Sequence, residues 1–328
     1  MSGGQVGDSG TIKSGENIFE VNDVQKKLGN LFVHYGKMRN GNLKINENVE
    51  LKIDVEKRNN VRAYHSATHL LHESLRRILG THVTQKGSLV APDRLRFDFS
   101  HMKPISLDEL EKIDNSVNEV VQKKSEVITR IMTPKEGIEH GALALFGEKY
   151  GDEVRVVFMG DEGNKYFSTE LCGGTHVRNT GDVGKFKIIS QSAIASGVRR
   201  VEALRDKQLE EFLTNKEKQI GISEQKNDQI IDEISKEIIS LGGKPIKNVD
   251  DKKQLIKDLS KQLDQLSVKS ILSDKNKNII KDEKIKNIKV RFQKIFDLSP
   301  KELRKLVDNG KKELKEGIII VFASKDEN

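Results

Sequence analysis

Apolar side chains recur every three to four positions through residues 64–79. Side chains with this spacing lie on one face of an α-helix, so the pattern predicts an amphipathic helix with one buried face. Glycine often follows the last residue of a helix, and Gly80 comes directly after Leu79. We therefore expect a helix from about Tyr64 to Leu79. Its apolar face comprises Ala67, Leu70, Leu71, Leu75 and Ile78.

A second helix and several strands are predicted in the residues that follow. Ser106 and Glu109 have the spacing of a capping box, which marks the start of a helix. Residues 94–99 alternate apolar and charged side chains, as a half-buried strand does, and this places Phe97 and Phe99 in the core. Helices and strands mixed in this way predict an α+β fold with helices on one face of a mainly antiparallel sheet. Further extended runs lie at residues 127–132, 154–159 and 184–190.

The N-terminal residues predict a small β module that ends near Lys57. A turn at residues 39–42 separates two of its extended runs. Basic side chains on this module could contact RNA, although exposed lysines on strands are more often only solvated. The basic residues are Lys37, Arg39 and Lys44. The extended runs are residues 18–24, 31–37 and 49–55.

The chain changes character after Leu204. Residues up to about Asn287 are rich in charged and amide side chains, and their leucines keep a helical spacing, which predicts a helical connector. The connector is split near residues 241–245, which contain two glycines and a proline. The spaced leucines could form a dimer seam or an intramolecular helix pair, of which the helix pair is the simpler. They are Leu255, Leu259, Leu263 and Leu266.

The last residues of the chain predict a small α/β unit. An extended run covers residues 287–292, and a helix is expected to begin at Ser299, with Pro300 in its first turn. The apolar run at residues 317–323 is typical of a buried strand.

Bulk composition limits the function without deciding it. The 328 residues carry a formal net charge of +7 and have an isoelectric point near 9.1. This charge suits a polyanionic partner, but a modest excess of lysine is also common in ordinary soluble proteins. One cysteine excludes an internal disulfide. The sequence has no run long enough to span a membrane, no secretory signal pattern and no phosphate-binding loop for ATP. We therefore expect a cytoplasmic protein without a membrane partner.

Two short histidine motifs provide the candidate chemistry. His65 and His69 lie four residues apart on the first predicted helix, so both imidazoles can face one ion. Cys172 and His176 flank a Gly-Gly pair that allows a tight turn. Three nitrogens and one sulfur form a ligand set that suits zinc. His72 lies on the same side of the helix, so spacing alone leaves open which two histidines bind.

A zinc protease is the obvious alternative for a helix with two such histidines. Its helix reads His-Glu-x-x-His, with the glutamate as general base. In this chain Ser66 follows His65, so the protease interpretation fails.

Several long motifs, in order, resemble the editing domain of alanyl-tRNA synthetases. They include YHSATHLLHESLRRILGTHVTQKGSLV and STELCGGTHVRNTGDVGKFKIIS, which contain both histidine motifs. The resemblance selects His65, His69, Cys172 and His176 as ligands of one zinc ion (Zn²⁺). It implies a zinc-dependent hydrolase that removes wrongly attached serine or glycine from the acceptor end of alanine tRNA. The resembling runs are residues 2–10, 64–101, 144–156, 168–190 and 195–204.

The resemblance also implies site residues beyond the metal ligands. The family places a glutamine in the editing pocket at the position of Gln85. Thr68, one residue before a ligand, is a candidate to sense the hydroxyl group of a misplaced serine. Gly197, Arg199 and Arg200 could hold the tRNA acceptor end through phosphate contacts. Two surface arginines at the end of a strand are an equally good explanation of the last motif.

Combined with the patterns above, the resemblance divides the chain into four expected domains. Because the family's aminoacylation domain does not appear, we expect a fragment without ligase activity of its own. The full-length protein would use ATP to attach alanine to its tRNA and could form a homodimer through its C-terminal part. The domains are a β-barrel-like module (residues 1–57), a zinc-dependent editing domain (58–205), a helical linker (206–286) and a truncated C-terminal α/β domain (287–328).

The sequence leaves open the role of the zinc ion and several alternative functions. A zinc ion could activate water, anchor the substrate's amino group or hold the pocket together, since four protein ligands resemble a closed structural site. The protein could also be a free-standing deacylase acting in trans. A tRNA-binding module with structural zinc, or an unrelated zinc hydrolase of small esters, would fit the same ligand set.

Overall fold

The structure is a computed structural model, and the chain divides into two compact units, residues 1–215 and 216–328. Three sequence predictions fall partly outside the described residues: the resembling runs at 2–10 and 144–156 and the helix cap at Ser299. The described residues are 4–29, 31–143, 151–247, 251–274, 278–296 and 300–324.

The chain alternates short strands with helices of very different length. Up to the boundary between the units, the elements are β1 (Gly10–Ser14), β2 (Asn17–Lys27), β3 (Leu31–Asn40), β4 (Glu50–Ile53), α1 (Val55–Leu79), β5 (Gln85–Val90), β6 (Leu95–Ser100), α2 (Leu107–Gln122), β7 (Ile128–Met132), α3 (Pro134–Glu139), β8 (Val154–Asp161), β9 (Tyr166–Leu171), β10 (Phe186–Ala195), β11 (Val198–Arg205) and α4 (Asp206–Ser240), which crosses the boundary. The remaining elements are α5 (Lys252–Ser273), β12 (Asn278–Ile285), β13 (Ile288–Phe296), α6 (Pro300–Leu314) and β14 (Ile318–Ser324).

The first four strands form one antiparallel sheet in the order β3-β2-β1-β4. The barrel that the resemblance implied is wrong for the described residues, because the edge strands β3 and β4 do not pair with each other. Closing a sheet into a barrel requires that pairing. β4 has four residues and pairs with β1 alone among the described strands. The N-terminal module is therefore an open sheet.

The helix α1 carries the histidine motif and is longer than the sequence pattern predicts. It begins at Val55, because the side chain of Asp54 accepts a hydrogen bond from the backbone N–H of Lys57 and caps the first turn. The polar residues 56–60 obscured this start. Its other end agrees with the prediction, since Gly80 follows Leu79 with a positive φ of 119°.

The main core lies between α1, α2 and the antiparallel sheet β10-β11-β6-β5. Phe97 and Phe99 of β6 are fully buried there, as predicted. The capping box of Ser106 and Glu109 is present at the start of α2. The mixed α+β class with mainly antiparallel sheets is thus confirmed. Other side chains with no exposed surface in this core are Leu70, Leu71, Ile113 and Val117.

A smaller three-stranded sheet, in the order β7-β8-β9, holds the second histidine motif. Its own cluster of buried side chains includes Val156, Phe158 and Leu171. Strand β9 ends at Leu171, so Cys172 is the first residue beyond it. β9 also contacts α1. The sheet therefore fixes the cysteine motif against the histidine helix.

The second unit contains two long helical segments followed by a three-stranded sheet in the order β12-β13-β14. The predicted break is confirmed, since α4 ends at Ser240 and Gly242 has a φ of 77°. Lys252 at the start of α5 forms a 2.8 Å ion pair with Asp228 of α4, so the two helices contact each other within the chain. Strands β13 and β14 are parallel, with α6 as the connection. Within the described ranges, no helix is long and apolar enough to cross a lipid bilayer.

Candidate metal centre

The four predicted ligand residues lie together in the structure. His65 and His69 come from one face of α1, and Cys172 and His176 come from the loop after β9. One ligand atom from each residue can be chosen so that all four atoms lie within 4.8 Å of one another. The Sγ atom of Cys172 lies 3.5 Å from Nε2 of His65 and 3.4 Å from Nε2 of His176. The two distant motifs therefore form one cluster.

The loop carrying Cys172 is held by its own backbone and by one arginine. Arg155 of β8 donates to the carbonyl oxygens of Cys172 and Gly174, and its own carbonyl accepts from the N–H of Cys172. The N–H of Gly174 points at the Cys172 sulfur, at 3.4 Å. A Cβ atom at Gly174 would overlap the imidazole of His65. Glycine is therefore required at this position for the loop to approach the helix so closely.

His65 is oriented by Gln5, a residue from the N-terminal segment. The Nδ1 atom of His65 lies 2.9 Å from Oε1 of Gln5. The same oxygen accepts from the N–H and the hydroxyl of Thr175, each at 3.0 Å. An amide oxygen can only accept, so Nδ1 of His65 must carry the proton. That tautomer leaves the Nε2 lone pair facing the cysteine sulfur.

His69 and His72 share one buried carboxylate. Glu170 places Oε2 at 2.7 Å from Nδ1 of His69 and Oε1 at 3.3 Å from Nδ1 of His72. The Nε2 atoms of both rings are buried, and neither has a hydrogen-bond partner among the described residues. What groups His69 rather than His72 with the cluster is the distance of at most 4.8 Å between its ligand atom and those of His65, Cys172 and His176.

His176 is oriented by the residue that excluded the protease interpretation. The hydroxyl oxygen of Ser66 lies 3.3 Å from Nδ1 of His176 and also accepts from the N–H of Val177, at 3.2 Å. His65 and His176 thus turn Nδ1 to a polar partner and Nε2 to the sulfur of Cys172. Metal-binding histidines commonly have such an outer hydrogen bond, because it fixes both the tautomer and the ring orientation.

The charges of the cluster favour a thiolate. Burial alone raises the pKa of the Cys172 thiol, but the charge of His69 and the close approach of the His176 and His65 imidazoles lower that pKa to about 2. Burial lowers the pKa of His176 to about 3, so its imidazole is neutral at neutral pH. Burial lowers the pKa of His69, but the charges of Glu170 and Cys172 outweigh it and raise that pKa to about 10. A metal ion binds a thiolate and neutral imidazoles, so His69 must lose its proton when an ion binds. The buried, unbonded Nε2 of His69 and the N₃S donor set fit zinc.

Thr68 and Gln85, the predicted substrate-binding residues, lie on different elements. Thr68 is buried in α1 beside His69, and its hydroxyl donates a 2.8 Å hydrogen bond to the carbonyl of Tyr64 one turn earlier. Its oxygen keeps lone pairs that can accept a further hydrogen bond. Gln85 is the half-buried first residue of β5, next to an irregularity in the pairing of β5 with β6.

The predicted RNA-contacting residues lie at the turn between β10 and β11. Gly197 has a φ of 71°, and its carbonyl accepts from the N–H of His101. Arg199 donates to the carbonyl of Met102 at 3.3 Å. Arg200 instead forms a two-pronged ion pair with the buried Asp98, at 2.7 and 2.8 Å. Arg199 therefore keeps more unused N–H donors than Arg200 does.

Sequence spacing did not predict the residues that orient the side chains of the cluster. Gln5 and Glu170 lie inside motifs used for the resemblance, but nothing in their local spacing pointed to His65 or His69. Ser66 entered only as evidence against a protease. Arg155 had no local pattern at all. A polar residue inside a ligand motif, such as Glu170 two positions before Cys172, is the signal that could have been followed.

Comparison with known proteins agrees with the motifs. A family model described as "Threonyl and Alanyl tRNA synthetase second additional domain" matches residues 154–202, which contain Cys172 and His176. A second model, "tRNA synthetases class II (A)", matches residues 1–57. The chain is 44% identical to the Alanine--tRNA ligase of Parvibaculum lavamentivorans over 98% of its length. The resemblance to alanyl-tRNA synthetases is confirmed.

Two further alanyl-tRNA synthetases align over almost the whole chain. The Alanine--tRNA ligase of a Chelativorans species is 43% identical over 99% of the chain, and that of Mesorhizobium japonicum is 43% identical over 100%. The chain spans 36% of the length of each of these three relatives. The similarity therefore concerns about a third of an alanyl-tRNA synthetase.

Proposed function

We propose that this chain binds one zinc ion through His65, His69, Cys172 and His176 and hydrolyses the ester of serine or glycine wrongly attached to alanine tRNA. The observation that carries the proposal is the meeting of these four side chains from two distant segments, with their ligand atoms within 4.8 Å. The similarity to alanyl-tRNA synthetases supplies the RNA substrate.

The protein first orients the three histidine rings of the cluster. Gln5 and Ser66 hold the rings of His65 and His176 with Nε2 toward the sulfur, and Glu170 holds His69 from behind. Four protein ligands fill the tetrahedral shell that zinc prefers, so the same set also locks α1 to the loop after β9. A bound zinc ion would supply positive charge that favours an anionic oxygen on a nearby substrate.

Selection of serine over alanine is assigned to Thr68. Its hydroxyl hydrogen is used by the Tyr64 carbonyl, so its oxygen can accept a hydrogen bond from the hydroxyl of a seryl group. An alanyl group offers no such donor. A hydrogen bond of this kind discriminates by about 1–3 kcal/mol. Gln85 is proposed to hydrogen-bond the substrate from the edge of the neighbouring sheet.

The acceptor end of the tRNA is proposed to contact the turn between β10 and β11. Arg199 is the better candidate of the two arginines there, because one weak hydrogen bond leaves most of its guanidinium available. Arg200 is already paired with Asp98. Gly197 would allow the phosphate backbone to approach the turn closely.

Hydrolysis of charged tRNA tests the proposal directly. The purified chain is incubated with serine-charged and alanine-charged alanine tRNA, with and without a zinc chelator. We expect the seryl ester to be lost faster than the alanyl ester, and the chelator to stop the reaction. His69→Ala should abolish hydrolysis, whereas the matched control His82→Ala, which removes an exposed histidine, should not.

Two outcomes would contradict the proposal. Binding of seryl-tRNA without loss of its ester would indicate a tRNA-binding module with structural zinc. Hydrolysis of small amino acid esters at an equal rate without tRNA would indicate an unrelated zinc hydrolase.

For the full-length protein, we propose the activity that the names of the relatives state, ligation of alanine to tRNA. We propose that it uses ATP for this step. This chain alone is not expected to carry it.

A further inference from the structure

A polar cavity lies beside the candidate metal centre, and His176 forms part of its wall. Its volume is about 410 Å³, which lies within the usual range of about 300–1,000 Å³ for ligand pockets. Arg62 reaches it from α1, Arg178 from the loop after His176, and Arg205 from the end of β11. A molecule in this cavity would touch three arginines and one ligand of the proposed zinc ion.

The three arginines are not equivalent. Arg205 is 6% exposed, and its guanidinium donates to the carbonyls of Val183 and Asp182 and to the side chain of Asn60. It also forms a 3.4 Å ion pair with Asp206. This arginine is therefore used by the fold itself, and Arg62 and Arg178 are the sources of charge and free donors in the cavity.

Arg62 and Arg178 keep most of their donors free. Arg62 makes one side-chain hydrogen bond, to Asn59 at 3.2 Å, out of the five N–H groups that a guanidinium carries. Within the described part of the chain, the side chain of Arg178 has no hydrogen bond or ion pair. Asp182 is the one acidic residue in the wall, against three arginines. The cavity is therefore positively charged and has unused donors suited to an anion.

We propose that this cavity binds backbone phosphate groups near the 3′ end of the RNA, with Arg62 and Arg178 as the contacting residues. The inference rests on the proposed function, because the metal centre must receive an ester at that 3′ end. A guanidinium can bind two phosphate oxygens at once, which fixes position as well as adding affinity. Because His176 belongs both to the cluster and to the cavity wall, phosphates held here would lie next to the ester.

Salt dependence separates a phosphate contact from a change in fold. The affinity of the full chain for uncharged alanine tRNA is measured over a range of sodium chloride concentrations, for the wild type and for Arg62→Gln and Arg178→Gln. A plot of log K for RNA binding against log salt concentration has a negative slope. Each lost contact to a single-stranded phosphate should make that slope shallower by about 0.7. The matched control is Arg130→Gln, which removes an exposed arginine of β7 outside the cavity and should leave the slope unchanged.

A shortened RNA locates the contact. For tRNA lacking its last three nucleotides, Arg178→Gln and the wild type should bind equally, since the contacted phosphates are gone. Zinc content is measured for every variant, because Arg178 lies two residues after a proposed ligand. If Arg178→Gln loses metal, Arg62→Gln on the separate element α1 decides the result.

The proposal is overturned if both variants keep their zinc and show the wild-type slope. It is also overturned if inorganic phosphate displaces the RNA well below the ionic strength at which sodium chloride does, since the cavity would then be a small-anion site. Neither result depends on ester hydrolysis. A failure of the cavity proposal is thus distinguishable from a failure of the proposed deacylase, which loss of the seryl ester tests independently.

Discussion

The Nδ1 atom of His69 lies 2.7 Å from the Oε2 atom of Glu170, and both side chains are buried. Burial raises the pKa of a carboxyl group, but the charges of His69 and His72 outweigh it and hold the pKa of Glu170 well below its usual value. The carboxylate is therefore charged at neutral pH and stands directly behind a proposed metal ligand. Such an arrangement orients a histidine and increases its basicity toward a metal ion.

Glu170→Gln should weaken zinc binding. The amide keeps the shape of the side chain but loses the negative charge that faces Nδ1 of His69. Changes of this kind typically lower metal affinity by about 10- to 100-fold. Competition with a chelating dye gives the affinity. The control is Glu162→Gln, in the turn between β8 and β9, whose carboxylate pairs with Arg77 at the surface and should leave zinc affinity unchanged.

Gly174→Ala should separate the two halves of the cluster. The added methyl group meets the ring of His65 and the amide oxygen of Gln5, so the loop or the helix must move. Overpacking of this kind costs about 1–3 kcal/mol, which corresponds to a loss of about 5- to 150-fold in zinc affinity. Gly151→Ala is the control, since its methyl group would meet only the Glu153 carbonyl, at 4.0 Å. Equal zinc affinity in the two variants would contradict this role of Gly174.

Thr68→Val should reduce discrimination between seryl and alanyl esters while zinc content stays normal. Valine has nearly the same shape but lacks the oxygen that is proposed to accept from the serine hydroxyl. The ratio of kcat/KM for the two esters should fall by about 5- to 150-fold, equivalent to about 1–3 kcal/mol. Thr68→Ser keeps the hydroxyl and should retain most of the ratio. Loss of metal together with activity would mean that the hydrogen bond to Tyr64 is only structural.

Arg199→Gln and Arg200→Gln should behave differently although the residues are neighbours. In Arg199→Gln, the negative slope of log K for tRNA binding against log salt concentration is expected to become shallower by about 0.7, the value for one lost phosphate contact. Arg200→Gln should leave the slope of log K against log salt unchanged but lower the melting temperature. Asp98 is 5% exposed, and it would lose both hydrogen bonds from Arg200 and keep only the 3.6 Å ion pair with Arg96. Titrations at several salt concentrations and thermal unfolding of both variants give the answer. The reverse pattern would assign the phosphate contact to Arg200.

Local spacing predicted which four residues would lie together because each pair lies within one short element. Helical geometry places His65 beside His69, and the Gly-Gly turn places Cys172 near His176. His72 lies on the same side of the helix, and in the structure only His65 and His69 of the three lie within 4.8 Å of the other candidate ligand atoms. Spacing alone contains no information about which carboxylate lies behind a helix.

Partners distant in sequence could not be predicted in the same way. Gln5 and His65 are 60 residues apart, and Ser66 and His176 are 110 apart. The start of α1 was missed because residues 56–60 are polar and show no apolar face. Strand β12 (Asn278–Ile285) was missed because half of its residues are charged. The barrel expectation came from the resemblance and failed because closure depends on edge pairing, which these described strands lack.

The contact between Gln5 and His65 ties the segment before β1 to the helix that carries the histidines. Asp8 adds a second tie through its ion pair with Arg58 of the same helix. A shortened form of the protein should therefore keep these first residues together with the helix that carries His65 and His69. A cut at Lys57 would remove the amide oxygen that accepts from Nδ1 of His65.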